Sequence, residues 1–305
     1  MQTEFSPYSN GVDLTLNELL YFRNQSVKWL PPAKGLWSQL LGVHQSRQLG
    51  RGMDFSEVRR YQAGDDIRAI DWRVTARSGK PHTKLFSEER EKPLVLYLDL
   101  GPSMLFGSQL MLKSVLMAHM ASLIAWLTIK QQDRIGAIID TGFELIEVKP
   151  TGRNKGPLAI LQRLVDMHAA LIDAPRRPNP HGFAPALQSL QQLAPKGSEI
   201  VFISDFIRFQ DKEELALTRL RQHNSVRFVQ ICDPLESGNT AYRGNEKVSD
   251  GFRTQWFDFS SKQSRQKLKL AFDDKQQGLK TLAQKTGISF CALSSDQLLL
   301  NQISG

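Results

Sequence analysis

The sequence predicts an α/β protein: a mostly parallel sheet with helices on both faces, preceded by an N-terminal helix and a small β-element. Three observations predict it. From Pro93 onward, apolar runs of strand length alternate with segments of helical spacing, the pattern of strand–helix units that build a parallel sheet. Four of those runs end in aspartate, at Asp99, Asp140, Asp205 and Asp233. Ahead of them, Gly50 to Ser103 carries a dense arginine–carboxylate texture that leads straight into the apolar run Leu94–Leu98.

Leu16, Leu19, Leu20, Phe22, Val27 and Leu30 recur at helical spacing, and Pro31-Pro32 stops the helix they define. Ala33 to Leu49, with Trp37, Leu40 and Leu41, reads as a partly extended arm. Met53 to Tyr61 reads as a helical turn. Ala63-Gly64-Asp65-Asp66 has turn chemistry, because glycine and aspartate tolerate unusual backbone angles. Within Val74 to Phe86, Ser78-Gly79-Lys80-Pro81 turns between two short extended runs, giving a small β-element before the main sheet. The expected domains are therefore 1–92, the arm and small β-element, and 93–305, the sheet domain.

Leu94–Asp99 is the first main strand, followed by a long helix from about Gln109 to Lys130. Lys113, Ser114, His119 and Ser122 mark that helix as a buried core element and not a membrane span. Arg134–Asp140 is the next strand, and Thr141-Gly142 turns it into a hairpin with Phe143–Val148. Helices near Gly156–Leu171 and Ala184–Leu193 flank a proline-rich linker, Ala174–Pro180. Glu199–Asp205 is a strand, Lys212–His223 a helix and Val226–Asp233 a strand. A polar loop, Glu236 to Arg253, precedes a short strand, Thr254–Phe259. A long helix, Gln263 to Lys285, the strand Ile288–Leu293 and a final helix from near Ser295 complete the chain.

The net charge of +8 permits an acidic partner, but the excess is diffuse. The basic enrichments at Lys149–Arg177 and Lys262–Lys285 lack the interleaved aromatics that stack bases, so both read as solvated faces, and no nucleic-acid partner is expected. Cys232 and Cys291 lie in strand-like runs and read as free thiols. The histidines and cysteines have no zinc spacing, and Gly152-Arg-Asn-Lys-Gly156 is too short for a phosphate-binding loop. The N-terminus shows no basic-then-apolar leader, so a cytoplasmic location is the expectation.

Between Arg47 and Gly79 every basic residue is arginine: Arg47, Arg51, Arg59, Arg60, Arg68, Arg73 and Arg77. Asp54, Glu57, Asp65, Asp66 and Asp71 are interleaved with them. Guanidinium groups bind carboxylates through a planar fork that lysine cannot reproduce. One reading is a structural network in which Asp65, Asp66, Arg68, Asp71 and Arg77 bond one another and fix the arm to the sheet. The other is a docking surface. The first is expected for most of these residues, with Trp72 as a core anchor.

Gly50-Arg-Gly-Met-Asp-Phe-Ser-Glu57, Arg59, Tyr61, Gly64-Asp65-Asp66, Arg68, Ile70-Asp71-Trp72, Thr75-Ala76-Arg77 and Glu88-Glu89-Arg90 together resemble the signature of domain-of-unknown-function family 58. That resemblance implies a von Willebrand factor A-like sheet with one antiparallel edge strand, here Phe143–Val148. It also implies association with MoxR-type AAA+ ATPases, and a metal-ion-dependent adhesion site taking Mg²⁺. In such a site an Asp-x-Ser-x-Ser loop follows the first strand, and a threonine and a second aspartate complete the ligands. Here Asp99, Ser103 and Asp205 match. Gly101 replaces the first serine, and Phe183 stands where the threonine would be. The expectation is a degenerate site holding Mg²⁺ weakly.

Three function classes follow. The leading one is a non-enzymatic interaction module that acts with a MoxR-type ATPase on a client protein complex, with other von Willebrand factor A-like proteins as further partners. The second is a metal-dependent hydrolase at Asp99 and Asp205. The third is nucleic-acid binding through the basic segments.

Overall fold

The computed structural model describes residues 8–28, 49–87, 92–174, 179–238, 240–249 and 254–303. The chain divides into two compact units, Gly42–Glu91 and the remainder.

The larger unit begins with α1 (Leu16–Lys28), where the Thr15 hydroxyl accepts from the Glu18 amide at 3.2 Å. Leu19 and Phe22 of α1 are buried in the same apolar cluster as the central helix described below, so α1 belongs with the sheet and not with the small β-element.

The smaller unit contains β1 (Leu49–Arg60), a 3₁₀ turn (Ile67–Ala69), α2 (Trp72–Ser78) and β2 (His82–Ser87). β1 and β2 pair antiparallel, with Phe55 opposite Phe86 and Arg60 opposite His82. The small β-element is present, but two of its parts differ from expectation. Met53–Tyr61 is mostly strand, because pairing with β2 outweighs its local helical spacing. Residues 72–78 are helical, because both ends are capped. Asp71 accepts from the Arg73 and Val74 amides at 3.0 and 3.1 Å, and Gly79 closes the helix in the left-handed region with φ 71°.

The larger unit continues with β3 (Leu94–Asp99), α3 (Lys113–Lys130), β4 (Ile135–Asp140), β5 (Leu145–Thr151), α4 (Lys155–Ile172) and α5 (Ala184–Leu193). Then come β6 (Glu199–Ser204), α6 (Glu214–His223), β7 (Ser225–Cys232), β8 (Asn245–Ser249), β9 (Thr254–Asp258), α7 (Lys262–Thr286), β10 (Ser289–Ser294) and α8 (Leu299–Ile303). Six strands form one sheet in the order β10-β7-β6-β3-β4-β5. All its pairs are parallel except β4 with β5, so the expected antiparallel edge strand is in place. β9 does not join this sheet. It forms a separate hairpin with β8, inside what the sequence suggested was loop.

Alternate residues of β3 face opposite cores. Leu94, Leu96 and Leu98 pack with α1, α3 and α4, while Val95 and Tyr97 pack with α5, α6 and the C-terminal half of α7. Burial on both faces explains why the strands read as continuous apolar runs. α3 is buried along almost its whole length, and its buried lysine, serines, histidine and threonine each have a partner. Ser114 meets His168 at 2.9 Å, His119 meets Glu18 at 2.6 Å, and Ser122 donates to the Leu19 carbonyl at 2.7 Å. Cys232 and Cys291 are free, and burial pushes both thiols up to about 12. Among the described residues, no helix is long and apolar enough to cross a membrane.

Candidate functional site

The four aspartates predicted at strand ends all reach the carboxyl edge of the sheet, and all are buried. Across the edge they stand in the order Asp233, Asp205, Asp99, Asp140, following β7, β6, β3 and β4. Strand order reverses between β3 and β6, so Asp99 and Asp205 flank the position where open α/β sheets place their ligands.

Each aspartate closes the same local turn. Oδ1 accepts from the amide two residues on: Gly101 at 2.8 Å, Gly142 at 2.7 Å, Ile207 at 2.9 Å and Leu235 at 2.9 Å. Side chains of this length bond their own backbone in such turns, which fixes the carboxylate and leaves Oδ2 directed elsewhere. Oδ2 of Asp99 accepts from Ser204 Oγ at 2.5 Å, and that of Asp140 accepts from the Tyr97 hydroxyl at 2.7 Å. Oδ2 of Asp205 accepts from Lys113 Nζ at 2.8 Å, and that of Asp233 from Ser295 Oγ at 2.6 Å.

Two buried cations complete the site. Arg208 Nη2 lies 2.6 Å from Asp99 Oδ1, 3.1 Å from Asp140 Oδ2 and 3.2 Å from the Tyr97 hydroxyl. Its Nη1 donates to the His181 carbonyl at 2.9 Å, and the Phe183 ring lies 5.6 Å from the guanidinium carbon. The loop that carries it bends at Phe206, whose φ of 58° is unusual for a bulky residue. The Phe206 amide donates to Ser204 Oγ at 2.8 Å, which helps hold that bend. Lys113, the first residue of α3, bonds both Asp205 and Glu236. The Arg208 and Lys113 side chains are 1% and 0% exposed.

Burial alone would raise every one of these carboxylates. For Asp205 the adjacent Lys113 ammonium outweighs burial and holds it below its usual range. For Asp140, His181 and the Arg208 guanidinium do the same. Burial prevails at Asp99 and Glu236, which are pushed up. Each cation therefore has one carboxylate held low and one held high. Burial also raises the Tyr97 phenol, with Asp99 and Asp140 adding to it, so Tyr97 keeps its proton and donates it to Asp140 in a hydrogen bond.

Unfolded aspartates ionise near pH 4, whereas folded Asp140 and Asp205 stay ionised at lower pH, so their contribution is complete above about pH 4 and lost as pH falls through the folded values. Lys113 is raised, so its contribution is complete below about pH 10 and is lost only as pH climbs past its folded value. Asp205→Asn is expected to flatten the acid limb of unfolding free energy against pH below about pH 4, measured by urea titration. An acid limb as steep as the wild type's would contradict the assignment.

The family model described as Protein of unknown function DUF58 matches residues 57–278, more than half of the chain. The chain belongs to the DUF58 family. Two mycobacterial relatives, the uncharacterized proteins Rv1480 of Mycobacterium tuberculosis and Mb1516 of Mycobacterium bovis, are each 32% identical over 172 residues. This covers 55% of the DUF58 chain and 51% of each relative, so the chain spans about half the length of the curated relatives it matches. Among solved structures, it is similar to the conserved hypothetical protein BatB from Bacteroides thetaiotaomicron, at 15% identity and a TM-score of 0.38. An aerotolerance-related membrane protein from Bacteroides fragilis matches at 14% identity and a TM-score of 0.36. Each match covers 64% of this chain and 98% of the other.

Of the ligands that the DUF58 resemblance implies, Asp99 and Asp205 come to one edge, and Ser103 lies on the loop after Asp99. The residues present do not fit Mg²⁺. An ion between the two aspartates would have to displace buried side chains that already carry positive charge. Ser103 Oγ is buried without a hydrogen bond of ordinary length, although it lies near enough to help keep Asp205 low. Phe183 is fully buried at the threonine position, against Tyr97 at 4.9 Å and Phe209 at 5.6 Å.

The charged signature of the smaller unit is mostly local capping and not a mutual network. Arg59 pairs with Asp65 at 2.8 Å, and Asp65 also accepts from the Gln62 amide, which lowers it. Asp66 accepts from the Arg68 amide at 3.0 Å. Asp71 caps α2, and its cation partner is Lys84, at 3.6 Å, not an arginine. Arg68 and Arg77 are exposed. Trp72 is 67% exposed and is no core anchor, because it starts a short helix that buries none of its residues. The side chains of Arg51, Asp54 and Glu57 lie outside the described residues. The decisive cations, Arg208 and Lys113, were not singled out as site residues from sequence. Their signal was a charge set in apolar surroundings, Phe206-Ile-Arg-Phe209 and Leu110-Met-Leu-Lys113.

Proposed function

We propose that this DUF58 chain is a non-enzymatic protein-interaction module built on a von Willebrand factor A-like fold. It acts in the cytoplasm with a MoxR-type AAA+ ATPase in the assembly, activation or cofactor insertion of other protein complexes. The observation that carries this reading is the closure of the sheet edge. Asp99, Asp140 and Asp205 are each buried and bonded to a cation, so none is free to act as an exposed base or nucleophile. A hydrolase would need those carboxylates free to hold a metal and activate water. The sheet order, with β5 antiparallel at one edge, agrees with the von Willebrand factor A-like arrangement.

The smaller unit adds a surface suited to recognition. Ile67 and Trp72 are 65% and 67% exposed, five positions apart. Tryptophan is enriched where proteins bind one another. The test is co-elution of the purified chain with the ATPase of its own host, with and without ATP. Binding that is weakened by Trp72→Ala supports the reading. Separate elution under both conditions overturns it.

A further inference from the structure

We infer that Arg208 and Lys113 stand in for a divalent cation at the carboxyl edge of the sheet, so the site needs no metal and is converted into a metal site by removing the arginine. The substitutions fit one another sterically. A Cβ on residue 101 would lie 2.7 Å from Arg208 Nε and 3.0 Å from Asp99 Oδ1. A side chain there is therefore incompatible with the guanidinium, and Gly101 is the condition for Arg208 to enter. Phe183 lies 5.6 Å from the guanidinium carbon and covers the charge from the α5 side. Losing two hydroxyl positions and gaining an internal cation are thus one structural change.

The donors around Arg208 are those a hard divalent cation prefers. They are the carboxylates of Asp99 and Asp140, the Tyr97 hydroxyl and the His181 carbonyl. Lys113 fills the second half of the edge, between Asp205 and Glu236. Both cations are covalently part of the chain and buried, so a chelator cannot remove them and a partner's carboxylate cannot reach them. Partner recognition at this edge, if it occurs, does not run through a shared metal. This inference stands whether or not the ATPase is the partner.

The experiment measures thermal midpoints and bound Mn²⁺ by electron paramagnetic resonance, in wild type and Arg208→Ala, after chelator treatment. The wild-type midpoint is expected to be the same in chelator and in millimolar Mn²⁺ or Mg²⁺, with no Mn²⁺ bound. Arg208→Ala is expected to melt lower, to bind Mn²⁺ and to regain part of the lost midpoint. A further Asp99→Asn change is expected to abolish that gain. Wild-type Mn²⁺ binding that Asp99→Asn removes would overturn the inference, as would a folded Arg208→Ala that ignores Mn²⁺. If Arg208→Ala does not fold, Lys113→Ala is measured in the same way, and the wild-type arm decides independently.

Discussion

Replacing Arg208 with alanine is expected to lower folding stability by about 3–5 kcal/mol, the usual consequence of removing one partner from a buried ion pair. The loss arises because Asp99 and Asp140 remain in the interior with no cation between them, not because a favourable bond of that size existed. Both carboxylates are fully buried, and Arg208 bonds both through the same Nη2. Arg208→Lys is expected to recover less than half of the loss. A lysine offers a point charge, whereas Arg208 uses two nitrogens to reach Asp99, Asp140, the Tyr97 hydroxyl and the His181 carbonyl. Urea unfolding followed by near-ultraviolet circular dichroism measures both variants. A loss under about 1 kcal/mol for Arg208→Ala would mean that the carboxylates are relieved by water, contrary to their burial.

The second large effect is expected at Phe183. Its ring packs 5.9 Å from Phe206 and 6.4 Å from Phe202, in addition to Tyr97, Phe209 and the Arg208 guanidinium. Phe183→Thr, which installs the residue of the adhesion-site pattern, is expected to destabilise by about 3–5 kcal/mol through the cavity it opens. Phe183→Leu keeps most of the volume and is expected to cost under about 1.5 kcal/mol. Scanning calorimetry distinguishes the two. If both variants melt alike, the ring is not the packing centre that its contacts describe.

Much of the larger unit was legible in the sequence because its signals are local. Continuous apolar runs such as Leu94–Leu98 and Ile135–Ile139 are what a strand buried on both faces produces. The aspartate after each run marked the carboxyl edge of the sheet, where the buried charges meet. The errors have physical causes too. Phe55, Val58 and Tyr61 recur every third residue, which mimics a helix, and only pairing with His82–Ser87 makes the segment a strand. In 72–78, the β-branched Val74 and Thr75 argued for extension, whereas Asp71 and Gly79 supplied caps that outweigh them. β8, Asn-Glu-Lys-Val-Ser, has no apolar alternation to read. The site's cations were hidden because their partners are remote: Arg208 is 109 residues from Asp99, and Lys113 is 92 from Asp205. No spacing rule reports a contact of that range.

The buried polar side chains of α3 have a consequence of another kind. A helix that is apolar on every side has no polar face turned to solvent to set its rotation about its axis. Lys113, Ser114, His119 and Ser122 find partners on three separate segments: Asp205 after β6, His168 of α4, and Glu18 and the Leu19 carbonyl of α1. Only one angle and one axial position let all four bonds form together. These residues act as the teeth of a key, choosing a single register for a rod that hydrophobicity alone would leave free to turn and slide.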